Sequence, residues 1–135
     1  MKTVKLSKSS RGLYHAELVE NGIQIDWKGI LSENNVDEEF KKMILDWYAI
    51  PGFRSPPSDI AKINGFNWQK YNAILKRNVS TINDEYHFIV EHNEGTGVSY
   101  WSIVFDGHKL PNGKFVWILR GDVIKAVKEV SEDTS

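Results

Sequence analysis

Residues Arg54–Arg77 read RSPPSDIAKINGFNWQKYNAILKR, and the spacing of their apolar and small residues predicts two short helices joined by a tight turn. Ser58 follows Pro56-Pro57, where a helix can start, and its hydroxyl is placed to cap the free N–H groups of the first turn. Ile60, Ala61 and Ile63 form a small apolar stripe. Asn64-Gly65 ends the helix, because glycine accepts the left-handed backbone that a C-terminal cap requires. Asn67 is placed to cap a second helix with Trp68, Tyr71, Ile74 and Leu75 as its apolar positions.

This spacing matches a helix-turn-helix. Ala61 is the small residue needed where the first helix crosses the second, and Gly65 is the turn glycine four residues later. Ile60, Phe66, Tyr71 and Ile74 supply the inner faces. The second helix is then expected in the major groove, with Asn67, Trp68, Gln69, Lys70 and Asn72 at the base edges. Asn and Gln can bond adenine bidentately, and Lys can reach guanine or phosphate. Arg54, Ser58, Lys76 and Arg77 are the expected phosphate contacts. The competing reading is a helical hairpin that only fills a core. Trp68 separates the two, since with Tyr71 and Leu75 it also makes a buried stripe by spacing.

The surrounding 135-residue chain is the size of one domain, with a frayed acidic end at 131–135. At 41% hydrophobic and 26% charged residues it reads as an ordinary globular protein. It has no cysteine, which excludes thiol chemistry and a disulfide framework. No apolar run has the length of a membrane span, and no signal-peptide core follows Met1, so a cytoplasmic protein is expected. The net charge of −1 excludes a protein that coats nucleic acid by charge alone. From Arg54 to Arg77, however, Arg54, Lys62, Lys70, Lys76 and Arg77 face Asp59 alone. A local excess of four positive charges therefore sits on a remainder of −5, which suits directed binding.

Outward from this stretch the pattern is α+β: antiparallel hairpins forming a sheet packed on three or four helices. Val4 and Leu6 suggest an edge strand. Leu13–Val19 and Ile23–Trp27 alternate around Asn21-Gly22, a preferred two-residue hairpin turn, with 29–34 as a loop. Phe40, Met43, Ile44 and Trp47 recur at helical spacing, predicting a helix from Asp37 to Tyr48. Asp37, Glu38 and Glu39 sit at its positive end, and Pro51-Gly52 stops it. Asn78–Glu85 reads as a polar connector and His92–Gly97 as a loop. Tyr86–Glu91, Tyr100–Phe105 and Lys114–Leu119 read as strands, the last two joined across 106–113. A final helix is expected from Asp122, with Val123, Ile124, Val127 and Val130 inward.

No catalytic constellation, cofactor motif or metal site emerges. His87 and His92 with Glu91 and Glu94 have poor spacing for one tetrahedral ion. Asp106-Gly107-His108 can hold an acid–base pair but also reads as an ordinary turn. No serine lies in a nucleophile elbow, and Gly95 and Gly97 lack the helix and lysine of a phosphate cradle. The five tryptophans can all be core. The sharper alternative places Trp27, Trp101 and Trp117 around a flat ligand such as an extruded or modified base.

Ser58–Arg77 resembles a module on the N-terminal side of bacterial HNH-type endonucleases and related restriction-like proteins. Ile60, Ala61, Gly65, Phe66, Tyr71, Asn72 and Leu75 carry the likeness. Trp101–Val104, then Gly113–Arg120 and the following helix, resemble that module's strand pair with its W-x-L-R step. The likeness runs from about residue 56 to 130, roughly half the chain. It implies a DNA-facing accessory module that works with a nuclease partner or a parent chain in restriction or defence. It does not imply nuclease activity, because His92-Asn93-Glu94 offers no second ligating histidine at the right place. Duplex DNA is the expected partner. A protein-interaction domain, docking through an aromatic sheet face or the helix 37–48, is the alternative.

Overall fold

Lys2–Lys8 (β1) and Leu13–Ala16 (β2) pair antiparallel, Leu6 opposite Ala16 and Lys8 opposite Tyr14, in a computed structural model that describes residues 2–32, 36–91 and 100–133. Their period-two pattern buries Val4, Leu6, Tyr14 and Ala16 on one face. The other strands are Arg54–Ser55 (β3), Phe88–Glu91 (β4), Phe105–Lys109 (β5) and Phe115–Leu119 (β6). The sheet order is β3-β6-β5-β2-β1-β4. Every adjacent pair is antiparallel except β1 with β4, which run parallel with Lys2 beside Phe88.

Five α-helices are present among the described residues: Trp27–Ser32 (α1), Glu38–Tyr48 (α2), Pro57–Ile63 (α3), Gln69–Tyr86 (α4) and Gly121–Asp133 (α5). The α+β expectation holds, with a mixed sheet in place of hairpins alone. Four of the helices lie between β1 and β4, the long crossover that a parallel pair requires. Trp47 on α2 is the centre of the core. It is fully buried and donates its indole N–H to the Trp117 carbonyl at 3.0 Å. Its ring lies 4.9 Å from Phe105, 5.3 Å from Tyr71 and 5.8 Å from Trp117 between centroids, joining α2, α4 and the sheet.

Several sequence expectations are corrected. The hairpin Leu13–Val19 with Ile23–Trp27 does not form. Asn21-Gly22 instead closes a 3-10 turn over Val19–Asn21, and β2 pairs with β1 and β5. Trp27 and Ile30 then bury one helical side of α1, so much of the expected 29–34 loop is helix. The connector Asn78–Glu85 is the second half of α4, where Asn78, Val79, Ile82 and Asn83 are buried at helical spacing. Tyr100–Ile103 is a 3-10 turn, and the strand begins at Phe105 and takes in Asp106–Lys109. β1 is not an edge strand, since it lies between β2 and β4. The loop His92–Gly97 lies outside the described residues.

Gly107 is required by close approach. A Cβ there would come within 2.5 Å of Phe115 Cζ and 2.8 Å of the Trp101 ring. Gly107→Ala is expected to cost about 1–3 kcal/mol by overpacking, read as a lowered urea midpoint with an unchanged slope.

Candidate nucleic-acid interface

The α3–α4 pair is set by a few residues. Pro56 precedes α3 and no side chain caps it; Ser58 lies exposed in the first turn and does not serve as the cap expected of it. Ala61 is buried, and Gly65 takes the left-handed backbone, φ +78°. The Phe66 amide then reaches back to the Ala61 carbonyl at 2.9 Å. Trp68, rather than Asn67, occupies the position before α4, again without a side-chain cap. Tyr71, Ile74 and Leu75 face the core. The Phe66 ring meets Tyr71 edge-on at 4.9 Å.

The turn is tied to α2 through Asn64, whose amide donates to the Tyr71 hydroxyl at 2.9 Å and to Asp46 at 3.2 Å. Burial pushes the Tyr71 phenol up, with the Asn64 bond opposing. Beside this network lies a cleft of about 250 Å³, lined by Met43, Phe66, Tyr71 and Ile74 and rimmed by Glu39, Asp46 and Lys70.

The outer surface at the start of α4 presents Asn67, Trp68 (46% exposed), Gln69 and Lys76, with Asn72 half-buried. Trp68 is therefore not part of the buried stripe its spacing allowed. Lys70 and Arg77 behave differently. Lys70 Nζ lies 3.3 Å from Glu39 and 4.8 Å from the Phe66 ring centroid. Arg77 bonds Asp37 through Nε and lies 3.6 Å from Glu39. Asn78, buried on the next residue, donates to Asp37 at 3.2 Å and accepts from the Asp37 amide at 3.0 Å. Two of the five cations in Arg54–Arg77 are thus matched by Asp37, just before α2, and Glu39, in its first turn.

The Arg77 hydrogen bond, with a lesser one from Asn78, holds the Asp37 carboxyl below the ordinary aspartate range. A depressed carboxylate stabilises the fold above its unfolded pKa, and this support is lost as pH falls through the folded value. The thermal midpoint is expected to drop between about pH 5 and pH 2 with a component that Asp37→Asn lacks. Superimposable profiles for the two proteins would show that the contact contributes nothing.

Arg54 belongs to a different surface. It pairs with Ile118, one residue out of phase with Trp117, so its side chain faces away from the helices and reaches His108 at 3.1 Å. The same outer face carries His15, whose two ring nitrogens lie 2.9 Å from Asp106 and 3.1 Å from Glu20. A backbone hydrogen bond, and to a lesser extent His15, hold the Glu20 carboxyl below its ordinary range. Asp106, on strand β5 rather than in the ordinary turn expected there, pairs with His15 and not with His108, so the acid–base couple the segment could hold is not formed. His87 ends α4 in a left-handed conformation. No group of three metal-ligating side chains occurs among the described residues.

Trp27, Trp101 and Trp117 do not converge on a pocket. Trp27 and Trp117 are buried, the first near Phe40 and the second against Trp47 and Phe105. Trp101 packs with Tyr14 and Phe115. The inner residues of the helix 37–48, Phe40, Met43, Ile44 and Trp47, are also buried, leaving Leu45 exposed. Asp37 and Glu39 were the residues missed. The sequence signal was present in the acids at the start of α2, but their partners lie more than thirty positions away. Compared with family models, curated proteins and solved structures, the chain has no significant match.

Proposed function

We propose that the chain is a duplex DNA-binding module whose contact surface is the first half of α4. The observation that carries this reading is the exposed start of the helix. Asn67, Gln69 and Lys76 lie in solvent with no side-chain partner among the described residues, while Tyr71, Ile74 and Leu75 anchor the opposite side. Amide side chains followed by a cation suit base-edge and phosphate contacts. Gln69 and Asn72 with Asn67 are the proposed base readers. Ser58 and Lys76 are the proposed first phosphate contacts, and Arg54 is left out. The resemblance of Ser58–Arg77 to the restriction-type module supports a setting in bacterial restriction or defence, with a nuclease partner or parent chain in the cytoplasm. A protein-docking role is the second reading, favoured by the exposure of Ile63 (83%) and Trp68 (46%) around the turn.

Fluorescence anisotropy with a labelled duplex tests the proposal. Gln69→Ala with Lys76→Glu is expected to weaken binding by about 1–3 kcal/mol for the base contact. The variant should also flatten the salt dependence by about one unit. Both residues are exposed, so the melting temperature should stay close to the parent's. Equal binding by variant and parent would overturn the DNA reading. A concentration-dependent mass in light scattering without a DNA signal would favour docking.

A further inference from the structure

Resting on that reading, we infer that Asp37 and Glu39 occupy the cationic heads that duplex phosphates would otherwise take, and so set the affinity and salt dependence of the α4 surface. Glu39 alone reaches both Lys70, at 3.3 Å, and Arg77, at 3.6 Å. Asp37 holds Arg77 through Nε and is itself fixed by Asn78. Lys70 and Arg77 are seven residues apart, about two helical turns along the same side of α4. The two acids therefore span the cationic edge beside the proposed base readers. All four side chains are half open to water: Lys70 49%, Glu39 53%, Arg77 52% and Asp37 42%. Exchange of a carboxylate for a phosphate oxygen then exposes no buried charge. Exposed pairs of this kind are held weakly and screened by salt.

The experiment titrates a labelled duplex at several salt concentrations against the parent chain, Glu39→Gln, and Asp37→Asn with Glu39→Gln. Glu38→Gln is the control. It removes an identical charge one residue away, from a side chain 85% exposed that pairs within α2 with Lys41 at 3.7 Å. Each cation released adds a counterion-displacing contact, so log K against log salt should steepen by about one unit for Glu39→Gln and about two for the double variant. Affinity at low salt should rise about threefold or more per released cation. Glu38→Gln should keep the parent's slope.

Parent and Glu39→Gln chains that bind with the same slope would overturn the acid-screen proposal and leave the DNA reading standing. An equal gain from Glu38→Gln would also overturn it, since general charge would then explain the effect. A duplex bound only by the released variants would support it most strongly. No binding by any variant would remove the DNA reading and this inference together.

Discussion

Trp47→Ala is expected to remove about 3–5 kcal/mol of stability, the range for truncating a large aromatic in a packed core. The effect belongs at the upper end. Trp47 is fully buried, its ring contacts Phe105, Trp117 and Tyr71, and its N–H is the hydrogen-bond partner of the Trp117 carbonyl. Truncation removes that hydrogen bond as well as opening a cavity. The total stability of a domain this size is about 5–15 kcal/mol, so the variant should be partly unfolded near body temperature. Urea denaturation followed by circular dichroism gives the number. A loss below about 1 kcal/mol would mean the core does not depend on this contact. Trp47→Phe separates the two parts, restoring most of the packing but not the hydrogen bond.

Arg120 carries the second large effect. It follows β6 and is 3% exposed, with its guanidinium donating to the carbonyls of Ala16, at 3.1 Å, and Ser102, at 3.4 Å. Asp106 at 3.5 Å and Asp122 at 3.4 Å supply the counter-charge. It thus joins β2, the 3-10 turn, β5 and the start of α5. Arg120→Ala removes two buried hydrogen bonds and the cation shared by two partly exposed carboxylates, and about 3 kcal/mol is expected to be lost. Arg120→Lys keeps the charge but not the planar fork and should fall between the two. Because the guanidinium is buried, the loss should persist in high salt. Recovery of the alanine variant by salt alone would contradict this role.

The sequence conveyed some of this architecture and hid the rest for identifiable reasons. α2 and β6 were legible because one period dominates each: Phe40, Met43, Ile44 and Trp47 at helical spacing, and Phe115, Trp117 and Leu119 at alternate positions. The long α4 was cut short because Asn78, Asn83, Asp84 and Glu85 read as connector. Asn78 is in fact buried, paired to the Ile74 carbonyl at 2.8 Å and to Asp37, so polarity was a sign of a satisfied buried amide. Ile23, Ile25 and Trp27 alternate like a strand, but tertiary packing made Trp27 the first residue of a helix. The parallel β1–β4 pairing joins segments more than eighty residues apart and leaves no local trace. At the candidate surface, exposure of Gln69 and Lys76 was readable from helical phase. The capture of Lys70 and Arg77 by Asp37 and Glu39 was not, because it depends on how two helices are placed.

The central claim is that the solvent face opening α4 meets a duplex. Backbone amide chemical-shift mapping on adding a short duplex at low salt tests it directly. The largest shifts are expected at Asn67–Lys76 and, through the exchange of ion pairs, at Asp37–Glu39. Shifts confined to the outer sheet face around His15, Arg54 and His108, or none at duplex concentrations that saturate nonspecific binders, would contradict it.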